Sequence, residues 1–214
     1  MDVYEQLWTK NKDLAEKTLN LPFFQHMQRG DLQADDYAIF MLQDITVLSC
    51  LADILTTISD MVTKPDMKAF FKERSMSYQK YVDEFLNKFN LTGVQSLRTI
   101  EPTQQYQSYM NAGKDGKKSV RRSNNEEDIL VFFAVLMLAR ERLWLWLANQ
   151  MKEGYGNAYF TWKKKNMTQW NPEKHYKKII NDNVTDLRDI EFYNSVFRLV
   201  IQYELAICAF LVPA

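Results

Sequence analysis

The stretch MLQDITVLSCLADILTTI, residues 41 to 58, decides the fold class of this chain. Its apolar residues recur at spacings of three and four, which is the period of one face of an α-helix. Asp44 falls in that apolar row, so the pattern predicts a helix that directs one carboxylate toward the core. An ionised carboxylate in a dry core is costly unless it has a partner, which makes Asp44 a candidate functional residue.

The same period continues through most of the 214 residues, which include only six glycines and five prolines. The sequence therefore predicts an all-helical protein. Between the helices, residues 114–125 are rich in charge and in breakers and predict an exposed loop, and Ser123 with Glu126 is typical of a capping box. The predicted helices cover residues 3–20, 34–62, 65–89, 102–113, 126–151, 158–165, 172–181 and 186–211, with a short piece that closes at Gly30.

Two further acids interrupt apolar helices. Glu204 lies in the inward row of the last helix, with Val200 before it and Ile207 after it, and Glu141 lies in the most apolar helix between Arg140 and Arg142. The helical period does not fix the direction of Glu141, because that helix is apolar nearly all round. Two interpretations stay open: either one of these arginines is the internal counter-ion of an acid, or the acids are catalytic.

Composition excludes some classes of function. The 27 basic and 27 acidic residues cancel, and the basic loop has no interleaved aromatic residues, so the sequence predicts no nucleic-acid partner. The apolar run from Ile129 to Ala139 is too short to span a bilayer, which predicts no membrane partner. The N-terminus lacks the pattern of an export leader, and Cys50 and Cys208 both sit in apolar helical patterns, so we expect a cytoplasmic protein with free thiols.

The order of these features resembles the TenA family, thiaminase II-like proteins with the heme-oxygenase-like helical fold. The resemblance implies a single all-α domain over residues 1–214 that self-associates into a homo-oligomer and takes a small-molecule ligand. It is carried by four segments: LWTKNKDLAEKTLNLPFFQHMQRGDLQADDYAIFMLQDITVL (7–48), EPTQQYQSYM (101–110), NAYFTW (157–162) and YELAICAF (203–210).

The resemblance also implies roles for individual residues. Asp44 corresponds to the acid that binds the amino group and a ring nitrogen of an aminopyrimidine, and Glu204 to an acid implicated in proton transfer. We therefore expect the two to converge on one aromatic-walled chamber. Tyr106 and Tyr159 fall near the family's pocket tyrosines, with Tyr109 an alternative to Tyr106. Val47 stands where an aromatic residue is usual, and Ile207 stands near another such position, so both are further candidates for ligand binding.

The chain departs from the family's main branch in its nucleophile. That branch has a cysteine in the helix that matches residues 130–150, and this chain has none there. The resemblance is therefore to the branch that lacks the cysteine, in which a nearby glutamate is thought to substitute, and Glu141 is the candidate. A general acid or base at Glu204 would protonate the departing amine and activate water.

The predicted function is hydrolysis of a C–N bond in an aminopyrimidine or similar flat heterocycle, as in salvage of the thiamin pyrimidine, with carboxylates as catalytic groups. The alternative is a diverged or inactive TenA-like protein that binds a different small molecule.

Other proteins of this fold bind heme or a di-metal centre. The two histidines, His26 and His175, lie in no long core row, so the sequence predicts no metal and no cofactor.

Overall fold

The structure, a computed structural model, describes residues 2–115, 126–152, 154–167 and 173–213. These ranges contain helices, turns and irregular segments and no strand, so the all-α prediction is confirmed. Most of the predicted loop 114–125, including Ser123 of the predicted capping box, lies outside the described residues. The helices are α1 Val3–Leu19, α2 Pro22–Arg29, α3 Ala34–Met61, α4 Pro65–Lys88, α5 Glu101–Lys114, α6 Glu126–Gln150, α7 Phe160–Met167, α8 Glu173–Asn183 and α9 Leu187–Leu211, with a 3₁₀ turn Val94–Ser96 before α5.

Local sequence signals set the ends of several helices. The side chain of Asp2 accepts a hydrogen bond from the backbone N–H of Glu5 and begins α1, and Asp186 does the same for α9 through Asp189. Proline stands in the first turn of α2, α4 and α5, where its missing N–H costs nothing. Gly30 ends α2 with a φ of 78°, in the left-handed region that glycine adopts without strain.

The chain folds into two compact units, which the sequence does not predict. The terminal unit combines Met1–Tyr37 with Val131–Ala214, and the middle unit is Ala38–Leu130. In the terminal unit, α1 packs against α2, α8 and α9. Polar contacts reinforce the α1–α9 interface, because Asn11 donates to Asn194 at 2.8 Å and Arg198 pairs with Asp13 at 3.0 Å.

The middle unit is held by polar contacts of α3 with both α4 and α5. Ser75 of α4 donates to the carbonyl of Ala52 at 2.9 Å. On α5, Gln107 donates to the carbonyl of Thr46 at 3.1 Å. These bonds satisfy polar groups at the helix contacts and fix which face of α3 meets each neighbour.

A long run of consecutive buried residues lies on α6. Every residue from 129 to 139 is buried, and the run is apolar throughout. Arg140 follows it directly and is also buried. An arginine in that position needs a partner close by, and its partner defines the candidate site.

Two helices, α3 and α9, are long and apolar enough to cross a membrane by length and composition. In their most apolar 18-residue windows, 56% of α3 and 39% of α9 is buried. Core helices of soluble proteins have the same length and composition, so the finding is a weak indication. The expectation of no membrane partner stays a prediction.

Candidate functional site

Glu204 is the most enclosed of the predicted site acids. Its carboxylate lies on the inward face of α9 and is 3% exposed. The Nη1 group of Arg140 on α6 donates to Oε1 of Glu204, and the arginine is 5% exposed. Both residues belong to the terminal unit. The sequence left open whether an arginine is the counter-ion of an inward acid, and for Glu204 that arginine is Arg140. A nearby guanidinium stabilises the ionised form of a carboxylate.

Aromatic rings lie beside this ion pair. The guanidinium carbon of Arg140 is 5.9 Å from the ring centroid of Trp144, one turn further along α6. Trp144 in turn packs against Trp162 of α7, with ring centroids 5.8 Å apart, and against Phe24 of α2 at 6.1 Å. The guanidinium of the pair thus lies beside a buried aromatic cluster, and a planar guanidinium suits the face of such a ring.

Glu141 is adjacent to Arg140 in sequence but contacts a different helix. The hydroxyl of Tyr176, a fully buried residue of α8, donates to Oε1 of Glu141 at 3.1 Å. Glu141 itself is half-buried. Successive residues of a helix point about 100° apart, so Arg140 is directed to α9 and Glu141 to α8. The structure gives the two predicted catalytic acids separate partners in the terminal unit.

Tyr159 is positioned by the asparagine two residues before it. The side chain of Asn157 accepts from the backbone N–H of Tyr159 at 2.7 Å and donates to the carbonyls of Met27 and Gln28 at the end of α2, at 3.0 and 3.1 Å. The Tyr159 hydroxyl donates to the carbonyl of Leu32. This asparagine ties the end of α2 to the start of α7 and fixes where the tyrosine lies.

Tyr159 packs against a second tyrosine and has carboxylates nearby. Its ring lies 4.8 Å from the ring of Tyr37, centroid to centroid. Burial raises the pKa of the Tyr159 hydroxyl above its usual value, and the nearby carboxylates of Asp31 and Asp36 raise it further. The phenol therefore stays protonated at neutral pH and acts as a hydrogen-bond donor.

Ile207 lies one turn after Glu204 on the inward face of α9 and is buried, as is Cys208 beside it. The predicted inward row of α9 is thus confirmed around the acid. The ligand-binding role that the resemblance implies for Ile207 stays a prediction.

The middle unit carries Asp44, Val47 and Tyr106. Val47 and Tyr106 are fully buried, whereas Asp44 is half-buried and so less enclosed than its place in an apolar row predicts. Next to the acid, the Gln43 side chain donates to the carbonyl of Arg98 at 3.1 Å and accepts from the N–H of Ile100 at 3.0 Å. These bonds hold the segment that leads into α5.

The roles that the resemblance implies for these middle-unit residues stay predictions. Tyr109, the alternative to Tyr106, is also buried on α5.

The two cysteines are free thiols in separate units. Cys208 is buried on α9, and Cys50 is partly exposed on α3. Burial raises the pKa of the Cys50 thiol, opposed by a hydrogen bond from Asn111, whose Nδ2 lies 3.7 Å from the sulfur. A thiol of raised pKa is protonated at neutral pH and is therefore a weak nucleophile.

In each unit, one residue that makes hydrogen bonds beside a candidate residue was not identified from the sequence. Asn157 stands at the start of the NAYFTW segment and Gln43 stands directly before Asp44, so both fall inside segments that carry the family resemblance. Their hydrogen-bond partners are distant in sequence, 130 residues from Asn157 for Met27. The signal that could have identified Asn157 and Gln43 is that each lies within two residues of a candidate site residue.

The histidines lie outside the apolar core. Nδ1 of His26 is 2.9 Å from a carboxylate oxygen of Asp31, and the ring is at the protein surface, as is His175. Among the residues that the structure describes, no group of three or more His, Cys, Asp or Glu side chains is arranged to hold a metal ion.

Comparisons with known proteins establish the fold. No protein-family model matches the sequence, and no curated protein matches it significantly. Among solved structures, a TenA homologue protein from P. horikoshii OT3 matches with a TM-score of 0.79 and 17% sequence identity, over 99% of this chain and 98% of that one. A TenA homologue from Pyrococcus furiosus matches with a TM-score of 0.75 and 14% identity, over 98% of this chain and 99% of that one.

These matches confirm the all-α, single-domain fold class and confirm, at the level of the fold, the resemblance to TenA proteins. The likeness to the branch without the cysteine and the domain bounds 1–214 stay predictions.

Proposed function

We propose that this chain, which has the fold of the TenA homologues, is a hydrolase that cleaves an exocyclic C–N bond of an aminopyrimidine or a similar flat heterocycle. Carboxylates take the place of the cysteine in this proposal. The observation that carries it is Glu204, an acid held in the apolar interior of the terminal unit by a buried arginine. Such a group is rare in a core that exists for packing alone.

The chemistry of the ligand matches this group. An aminopyrimidine presents N–H donors along one edge and flat faces above and below the ring. A carboxylate accepts from the N–H edge, and aromatic side chains such as Trp144 pack against flat faces. The resemblance gives Asp44 a similar acceptor role toward the ligand's amino group, and its partial exposure suits an acid that meets a ligand from solution.

The proposed reaction consumes one water. Glu204, ionised beside Arg140, takes a proton from water as the water oxygen bonds to the exocyclic carbon, and the C–N bond breaks. The same proton then passes from Glu204 to the departing nitrogen, so a primary amine leaves as ammonia and a hydroxyl remains on the carbon. Glu141, held by the Tyr176 hydroxyl, is the second acid available for proton transfer.

Product release tests the proposal directly. Purified protein is incubated with an aminomethyl-aminopyrimidine or its formylaminomethyl derivative, and ammonia or formate is measured over time. We expect saturable release that Glu204→Gln abolishes, because glutamine cannot accept the proton. Glu191→Gln, an exposed acid on the same helix, is the matched control and should leave the rate unchanged. Absence of release from wild-type protein with both compounds would contradict the proposal.

A second candidate, a TenA-like protein that binds a small molecule without turnover, is favoured by two observations. An arginine already occupies Oε1 of Glu204, and α6 has no cysteine at the family position. A binder would show a saturable rise in melting temperature with the same compounds and no product. The two assays together separate the candidates.

A further inference from the structure

Arg140 occupies an unexpected position for a charged residue. It follows eleven consecutive buried apolar residues of α6 and is itself buried, while the next arginine, Arg142, lies nearer the surface and pairs with Glu5 of α1 at 2.8 Å. Two arginines two positions apart therefore differ in role. Arg142 ties α6 to α1, whereas Arg140 meets Glu204 inside the apolar core.

Stability alone does not account for the Arg140–Glu204 pair. Desolvating two charges costs about as much as their attraction returns, and apolar side chains of similar size commonly hold two helices together as well or better. Both helices also carry buried apolar side chains close to the pair in sequence, such as Ala139 on α6 and Ile207 on α9. What the pair adds is an ionised carboxylate at a fixed position on α9, and packing does not require it.

The surroundings of Arg140 hold its guanidinium in one orientation. Glu204 contacts it at Nη1, and the Trp144 ring lies 5.9 Å from its central carbon. Trp144 is itself packed against Trp162 and Phe24, so the ring has little freedom. A planar guanidinium held by a ring orients the carboxylate that it binds, which a lysine ammonium in the same place does less well.

We propose that Arg140 is the positioning residue of Glu204: it keeps the carboxylate ionised and oriented, so that Glu204 meets its substrate as a hydrogen-bond acceptor and base. This inference rests on the proposed function for its catalytic consequence. It narrows the substrate class to compounds that present an N–H group to Glu204. Because Glu204 carries no proton before the reaction begins, it has none of its own to give to the leaving group. The proton that reaches the leaving nitrogen then comes from the attacking water.

The test combines a spectroscopic measurement with kinetics. The side-chain carboxyl carbon of Glu204 is followed by ¹³C NMR at pH 7 and assigned with Glu204→Gln. In wild-type protein we expect the resonance at the position of a carboxylate. Arg140→Gln, which removes the charge but can still donate a hydrogen bond, should move it upfield toward the protonated acid, and Arg140→Lys should keep it at the carboxylate position.

The kinetic part separates position from charge. We expect Arg140→Gln and Arg140→Lys each to lower kcat by about tenfold or more, because a base that is neutral or misoriented loses part of its contribution. The loss should be larger in kcat than in KM. Unchanged kcat in Arg140→Lys would show that orientation by the guanidinium is unnecessary, which overturns the positioning role.

The outcomes distinguish this inference from the proposed function. If wild-type protein neither turns over nor binds the pyrimidines but Arg140→Gln moves the Glu204 resonance, the proposed function fails and control of the carboxylate by Arg140 stands. An unmoved resonance in Arg140→Gln overturns the inference whatever the activity. If Arg140→Gln does not fold, the double variant with Glu204→Gln decides: folding of the double variant supports the inference, and its failure to fold assigns the pair to packing and overturns it.

Discussion

At the scale of the residue, Glu204 and Arg140 show what a sequence pattern can and cannot specify. The spacing of apolar residues on α9 predicts an inward acid, and the structure buries Glu204. The identity of its partner was left open between Arg140 and Arg142, because the pairing joins residues 64 positions apart. Helical period fixes which face a residue occupies but not which neighbouring helix lies against that face.

The buried pair predicts a characteristic result in a double-mutant cycle. Arg140→Met and Glu204→Leu should each lower the free energy of unfolding by about 3–5 kcal/mol, since each removes one partner of a buried ion pair. The double variant should be more stable than either single variant, because neither charge of the pair remains. Urea denaturation followed by circular dichroism measures all four proteins. Additive losses in the double variant would contradict the ion pairing.

Cys50 gives a prediction about the nucleophile. Because burial raises the pKa of its thiol, the group is protonated at pH 7 and should react slowly with a thiol reagent in the native protein. The reagent should modify it much faster after unfolding in urea. Cys50→Ser should keep whatever hydrolysis the wild-type protein shows. Loss of activity in Cys50→Ser, with the fold intact, would instead assign a catalytic role to a cysteine outside α6.

At the scale of the element, most helix bounds could be predicted because their signals are local. Two helices begin at Pro22 and Pro65, and α2 ends at Gly30, all within a residue or two of the predicted positions. The short helix predicted at residues 158–165 begins two residues later, at Phe160. There the backbone is held by Asn157, which bonds to the end of α2, and no local pattern encodes a contact made across 130 residues.

Because Asn157 bonds to both the end of α2 and Tyr159, we expect its replacement to destabilise both. Asn157→Ala removes two donated bonds and one accepted bond, which should lower the free energy of unfolding by about 1–3 kcal/mol. Asn157→Asp keeps the acceptor for Tyr159 and loses the amide donors, so it separates the two ends of the contact. Hydrogen exchange at Gly30 and Tyr159 reports each end. Protection at Tyr159 should fall in Asn157→Ala and persist in Asn157→Asp, and equal protection in both would contradict this assignment.

At the scale of the whole molecule, composition and period were enough for the all-α class, and the ordered segments were enough for the TenA-like fold. The division into a terminal and a middle unit was not predictable, because it depends on how distant parts of one chain pack. Convergence of Asp44 and Glu204 on one chamber stays a prediction for the same reason. A pattern that places each acid on a helix face carries no information about the distance between them.

Self-association is a whole-molecule prediction that follows from the family resemblance. The chain has a mass of 25.4 kDa. Sedimentation equilibrium over a range of protein concentrations should give a mass of two or more times this value. A mass of one chain at every concentration would contradict the homo-oligomer.

The most direct measurement of the central claim is the response of Glu204 to ligand. An aminomethyl-aminopyrimidine is titrated into ¹³C-labelled protein while the side-chain carboxyl resonance of Glu204 is recorded, with Glu204→Gln as the assignment control. The account predicts a saturable change in that resonance, at the concentrations that give half-maximal product release or thermal stabilisation. A carboxyl resonance that does not move while the compound binds or is turned over would contradict it, because the acid would then serve no ligand.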